Sequence, residues 1–159
     1  MSLFDYFQKV ETDKVDGFHL LTEGQIGSQL DLNPQSLDGY DLVFFDIEEE
    51  RGSIRNIGCS KGANQVRSYF YQLHQGLTPL KMADFGTLKQ GESVTDTYFA
   101  VTDVISQLLR KSVIPIFLGG SQDLVYANYM AYTKEEQTVN LVSIDSKFAL
   151  GKTDEPIHD

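Results

Sequence analysis

Cysteine is nearly absent from this chain. Cys59 stands alone among 159 residues, so no intrachain disulfide can form, which fits a reducing cytoplasm. Basic side chains are also scarce: 13 Lys and Arg stand against 23 Asp and Glu, a net charge of −10. That balance argues against nucleic acid or an anionic membrane as partner. It is compatible with a small cationic or amino-acid ligand, and equally with a surface that is acidic for solubility. No apolar run approaches about 20 residues, so no segment reads as membrane-spanning. The opening MSLFDYFQKVETD lacks a basic region followed by an apolar stretch and does not read as a signal peptide. The three histidines, His19, His74 and His158, are not at metal-ligand spacing from one another; His74 reads as a helix-end cap and His158 as a solvated tail residue. There is no P-loop and no complete GxGxxG, and Cys59 has no obvious base to make it a nucleophile.

What is present suits a globular domain. Hydrophobic residues make up 41% and charged residues 23% of the chain, which is ordinary, and residues 1–159 fit a single α/β domain. Residues 1–40 read as an irregular arm held by Phe4, Tyr6, Phe7, Phe18, Leu20 and Leu21. Asp41–Ile47, DLVFFDI, is a nearly continuous apolar run, as expected of a strand buried on both faces. Glu48–Gly52 reads as an exposed loop. Ala63, Val66, Phe70 and Leu73 fall at helical spacing. Lys81–Gly86 reads as a second strand, and Thr95–Lys111 as the clearest helix, capped by Ser93 or Thr95. Val113–Leu118 reads as a third strand despite Pro115. A helix from just after Gly120 to Lys134 and a fourth strand over Val139–Asp145 complete the series. Alternation of this kind predicts a mostly parallel sheet with helices on both faces.

Two segments carry chemistry. One strand ends in Gly119-Gly120-Ser121-Gln122-Asp123, and the next ends in Asp145-Ser146-Lys147-Phe148-Ala149. Together they resemble the arginase (ureohydrolase) superfamily, whose first two metal motifs read roughly GG-x-H and D-x-H-x-D. Gly62-Ala63-Asn64-Gln65-Val66-Arg67 is similar to that family's GP-x-x-[IL]-R turn, without the proline, and Asp84-Phe85-Gly86 fits its D-x-G. The resemblance implies a three-layer α/β/α sandwich and a pair of Mn²⁺ ions that activate water against amidine or guanidine C–N bonds.

Residue by residue, the resemblance leaves Asp145 as the metal ligand. Gln122 stands in the place of a ligand histidine, and an amide oxygen is a weak ligand for Mn²⁺. Lys147 stands in the place of another histidine; an ammonium has donors and no lone pair, so it repels a cation. Ala149 replaces a carboxylate. Lys147 is expected to pair with Asp145 or a neighbouring acid, its charge taking the place of the metal. The family's third motif, D-x-D, does not occur before Asp159, so the chain is expected to be the N-terminal portion of a longer domain. Cut there, its fourth strand would rearrange, pair with a second copy in a homo-oligomer, or leave an open edge.

Asp46, Asp84 and Asp145 each fall near the carboxyl end of a predicted strand, where parallel sheets place their ligand crevice. With Gly119, Gly120, Ser121, Gln122 and Asp123 they form either that crevice or a set of helix caps and ion-pair partners for Arg67 and Lys147. Three functional readings follow. The first is a formimidoylglutamase-like protein with a degenerate manganese site, acting as scaffold or ligand binder. The second is an active Mn²⁺-dependent amidine hydrolase with unusual ligands. The third is a Rossmann- or flavodoxin-like binding domain.

Overall fold

The computed structural model describes residues 2–78 and 80–145. Along them run β1 (Phe7–Gln8), α1 (Ile26–Gln29), β2 (Leu42–Ile47), α2 (Ala63–Phe70), β3 (Met82–Leu88), α3 (Val94–Arg110), β4 (Ile114–Leu118) and α4 (Leu124–Lys134). The sheet order is β1-β3-β2-β4. β2 pairs in parallel with β3 and β4, and β1 adds to β3 antiparallel through Phe7 opposite Leu88. The architecture is therefore α/β with a mostly parallel sheet, as expected.

β2 occupies the interior of the sheet, which explains its apolar run. Side chains alternate along a strand. Val43, Phe45 and Ile47 point to one face and join Val101, Val104, Ile105 and Leu108 of α3 and Leu124, Ala127 and Ala131 of α4 in one core. Phe44 and Asp46 point to the other, where the Phe44 ring stacks on Phe70 of α2 at 5.1 Å. Each fully buried aliphatic side chain contributes roughly 1.5–3 kcal/mol. Ser93 caps α3 by accepting from the Asp96 N–H while the Asp96 carboxylate accepts from the Ser93 N–H. Pro115 is tolerated because β4 is the edge strand of the described sheet, where a missing N–H need leave no ladder bond unmade.

Four expectations are corrected. Val139–Asp145 forms no strand: these residues lack regular structure, with Val142 82% and Ile144 99% exposed. A strand needs a neighbour for its backbone groups, and none of the described residues supplies one beyond β4. The arm is not wholly irregular, since it contains β1 and α1. Within it Phe7 meets Phe45 and Phe85 edge-on at 5.6 and 5.3 Å, but Leu20 is exposed and anchors nothing. It sits on a short 3₁₀ turn whose inward ring is Phe18, which packs on Tyr71. His74 does not cap α2, which ends at Phe70; it forms an isolated bridge with Gln25. His158 lies outside the described residues.

Candidate functional site

β3 carries a bulge that shapes the site. Phe44 faces Asp84, yet Asp46 faces Thr87, so β3 holds one residue more than β2 across this interval. Gly86 absorbs it at φ +84°, and a Cβ there would collide with the Gln8 carbonyl of the arm. Only glycine combines that backbone angle with that approach. The bend brings the Gly86 N–H onto Asp84 Oδ1 at 2.7 Å, which is the physical content of the Asp84-Phe85-Gly86 motif.

Arg67 enters this bend from α2 and is 1% exposed. Its Nε and Nη2 bind the two Asp84 oxygens at 2.8 and 2.9 Å, and Nη2 also donates to the Gly86 carbonyl at 3.1 Å. Its Nη1 reaches Asp46 Oδ1 at 2.6 Å and Asn64 Oδ1 at 3.4 Å. The five donors of the guanidinium are thereby all engaged. Asp84 is equally occupied, since it also accepts from the Tyr71 hydroxyl at 2.7 Å. Burial, together with the Asp84 charge, pushes the Tyr71 hydroxyl well above its usual range. Burial also pushes the Asp46 carboxyl up, against the pull of Arg67. Two carboxylates share one cation, so the cluster keeps a net negative charge. Arg67 is thus an ion-pair partner, as one reading of the sequence has it.

A second cluster surrounds the turn after β4. Gly120, at φ +79°, lies where a Cβ would meet the Glu49 carbonyl. This lets the Ser121 N–H donate to that carbonyl at 2.8 Å. Glu49 is fully buried, a correction to the exposed loop expected over Glu48–Gly52. Its carboxylate accepts from Arg51 Nη2 at 2.6 Å, from the Thr97 hydroxyl at 2.9 Å and from Gln90 at 3.3 Å. Burial opposes the charge, but these donors outweigh it and hold the carboxyl down at about 2. Asp123, at the start of α4, accepts from the Tyr98 hydroxyl, which burial and this carboxylate push far up. Nothing in an EEERG run says which glutamate turns inward, and Thr97, Tyr98 and Gln90 carry no local signal.

Gln122 donates from Nε2 to Asp145 Oδ2 at 2.9 Å. Lys147 and Ala149 lie outside the described residues. The predicted crevice residues therefore fall into separate groups. Asp46 and Asp84 are joined through Arg67. Gly120 and Ser121 meet Glu49. Gln122 meets Asp145. Among the described residues no three His, Cys, Asp or Glu side chains gather as a metal centre would require, and no helix is long and apolar enough to cross a membrane.

No family model matches the chain. Formimidoylglutamase from Staphylococcus epidermidis is 26% identical over 147 residues, covering 87% of this chain and 46% of that protein. Formimidoylglutamase from Staphylococcus carnosus is 26% identical over 101 residues, 62% of this chain and 32% of that protein. The chain is similar to the arginase superfamily. It spans less than half the length of these curated relatives. Among solved structures, formimidoylglutamase from Bacillus subtilis superposes with a TM-score of 0.62 at 14% identity, over 79% of this chain and 45% of that one. Trypanosoma cruzi formiminoglutamase with Mn²⁺ gives 0.60 at 19%, over 69% and 40%. Proclavaminate amidino hydrolase from Streptomyces clavuligerus gives 0.58 at 20%, over 72% and 41%. These likenesses place the fold as arginase-like.

Proposed function

We propose that this arginase-like chain no longer holds a binuclear manganese site and serves as a non-catalytic scaffold or small-ligand binder in the cytoplasm. The hydrogen bond from Gln122 to Asp145 carries the reading. Asp145 is the ligand that the resemblance retains, and it takes an amide donor from the very residue that replaces a ligand histidine. An N–H turned toward a carboxylate competes with a cation for the same lone pair. Manganese favours carboxylates and tolerates imidazole, and the residues described at these positions do not supply that set. Asp84, another strand-end carboxylate, is committed as well: it is saturated by Arg67, Tyr71 and Gly86. A lone cysteine supports a reducing compartment.

The test is metal content by mass spectrometry after loading the protein with Mn²⁺ and gel filtration. The expected result is Mn²⁺ far below one ion per chain. Near-stoichiometric Mn²⁺ would overturn the reading and favour the second one, an active amidine hydrolase, which the names of the curated relatives support.

A further inference from the structure

α4 is apolar on two sides. Leu124, Ala127 and Ala131 turn inward and are buried in the core. Val125, Tyr126 and Tyr129 lie away from it and stay about half exposed. A helix with apolar side chains all round is ordinarily covered all round. Residues 139–141 lie against this outer side and leave a groove of about 440 Å³, whose lining includes Val125, Tyr126, Tyr129 and Leu141.

The segment that walls the groove also carries knobs. Val142 and Ile144 follow Leu141, do not line the groove, and are 82% and 99% exposed. Each molecule thus presents an apolar groove and, next to it, apolar side chains of a size to enter one. No charged residue occurs between Leu124 and Thr133 or between Gln137 and Ile144. In a chain of net charge −10 this decides where two copies can meet, because like charges brought face to face repel. Tyrosine without neighbouring charge is also the composition of an interface core.

The area is sufficient. At roughly 150–250 Å² for a large side chain fully exposed, the exposed parts of Val125, Tyr126, Tyr129, Leu141, Val142 and Ile144 come to on the order of 800 Å². That is about what each partner contributes to an interface of standard size, and more than the roughly 300–600 Å² of the largest apolar patch on a typical monomer.

We infer that this face is the contact between two copies of the chain, a two-fold dimer in which Val142 and Ile144 of each copy enter the groove of the other. A two-fold contact needs one patch that carries both halves of the fit, and here groove and knobs share one short segment. A groove without adjoining knobs would suit a partner of another kind. The inference goes beyond the scaffold role proposed above and does not depend on whether manganese is retained.

Size-exclusion chromatography with light scattering tests it on the 159-residue chain. At about 10 μM, the weak end for an interface of this size, the mass is expected to be that of two chains. Ile144→Lys and Tyr129→Lys alter exposed side chains, one a knob and one in the groove, and each should weaken the dimer by roughly tenfold or more while the far-ultraviolet circular dichroism stays that of the parent. Ile57→Lys changes an apolar side chain that is equally open to water but does not line the groove, and it should leave the dimer intact. A monomeric parent would overturn the inference and leave the groove to a different partner. So would a dimer that neither Ile144→Lys nor Tyr129→Lys weakens, or one that Ile57→Lys weakens as much. Open-ended oligomers in place of a closed pair would overturn the two-fold assignment.

Discussion

The two faces of β2 are held by opposite means. Toward α3 and α4, Val43, Phe45 and Ile47 join a core made almost wholly of hydrocarbon, where stabilisation scales with area and tolerates exchange of one apolar shape for another. Toward α2, Asp46 and the neighbouring Asp84 meet a buried guanidinium whose bonds have fixed directions. The first face is robust to substitution of like volume. The second is specific, because removing one member strands the others without water.

The contrast is broken most severely by Arg67→Ala. It leaves Asp46 and Asp84 buried without a cation and should destabilise the fold by about 3–5 kcal/mol, read from urea denaturation. Arg67→Lys should lose nearly as much, since an ammonium cannot reproduce the planar donor fork. A lysine variant close to the parent in stability would show that charge alone, and not direction, holds this face. On the apolar face Leu108→Ala should cost about 3 kcal/mol and Leu108→Met less than about 1.5 kcal/mol. Equal losses for those two would mean that this face, too, depends on particular shapes.

Glu49 sharpens the comparison by pH. Its carboxyl titrates at about 2 in the folded protein against 4.5 for the free group. As acid is added, the unfolded chain takes up this proton first. Its stabilising contribution is therefore present above 4.5 and is lost as the pH falls from there toward 2. Glu49→Gln should lower the melting temperature at neutral pH and make the decline between those values shallower; an unchanged acid slope would remove Glu49 from the account. The smallest effect concerns neither face. Ser93→Ala removes the cap of α3 and should cost about 1 kcal/mol, measurable by the same denaturation.

Much of this is legible in the sequence itself. The run DLVFFDI belongs to an interior strand because both of its faces are covered, and the Ser93 cap and the apolar stripe of α3 follow from side-chain spacing. Gly119-Gly120 marks the turn into α4, and Arg67 is recognisable as an ion-pair partner. Other features depend on distant neighbours. The two residues of β1 are a strand only because Leu88 and Thr87 lie beside them. Val139–Asp145 has the composition of a strand but no described neighbour to pair with. The inward turn of Glu49 is decided by Thr97, Gln90 and the Ser121 N–H, which lie 41 to 72 positions further along the chain. Composition can locate the carboxylates near strand ends; it cannot say which ones a guanidinium has already taken.

The Arg67 cluster also bears on the order in which the chain folds. Its members come from three segments, α2, β2 and the bulge of β3, and none can leave water cheaply without the others. A half-formed sheet therefore gains little by docking α2, whereas the apolar face of β2 can begin to collapse onto α3 with imperfect contacts. Closure of the guanidinium into its two carboxylates is therefore expected late on the folding path, which a φ-value near zero for Arg67→Ala would bear out. Arg67→Ala should then chiefly speed how fast the finished molecule comes apart, and hardly slow how fast it is made.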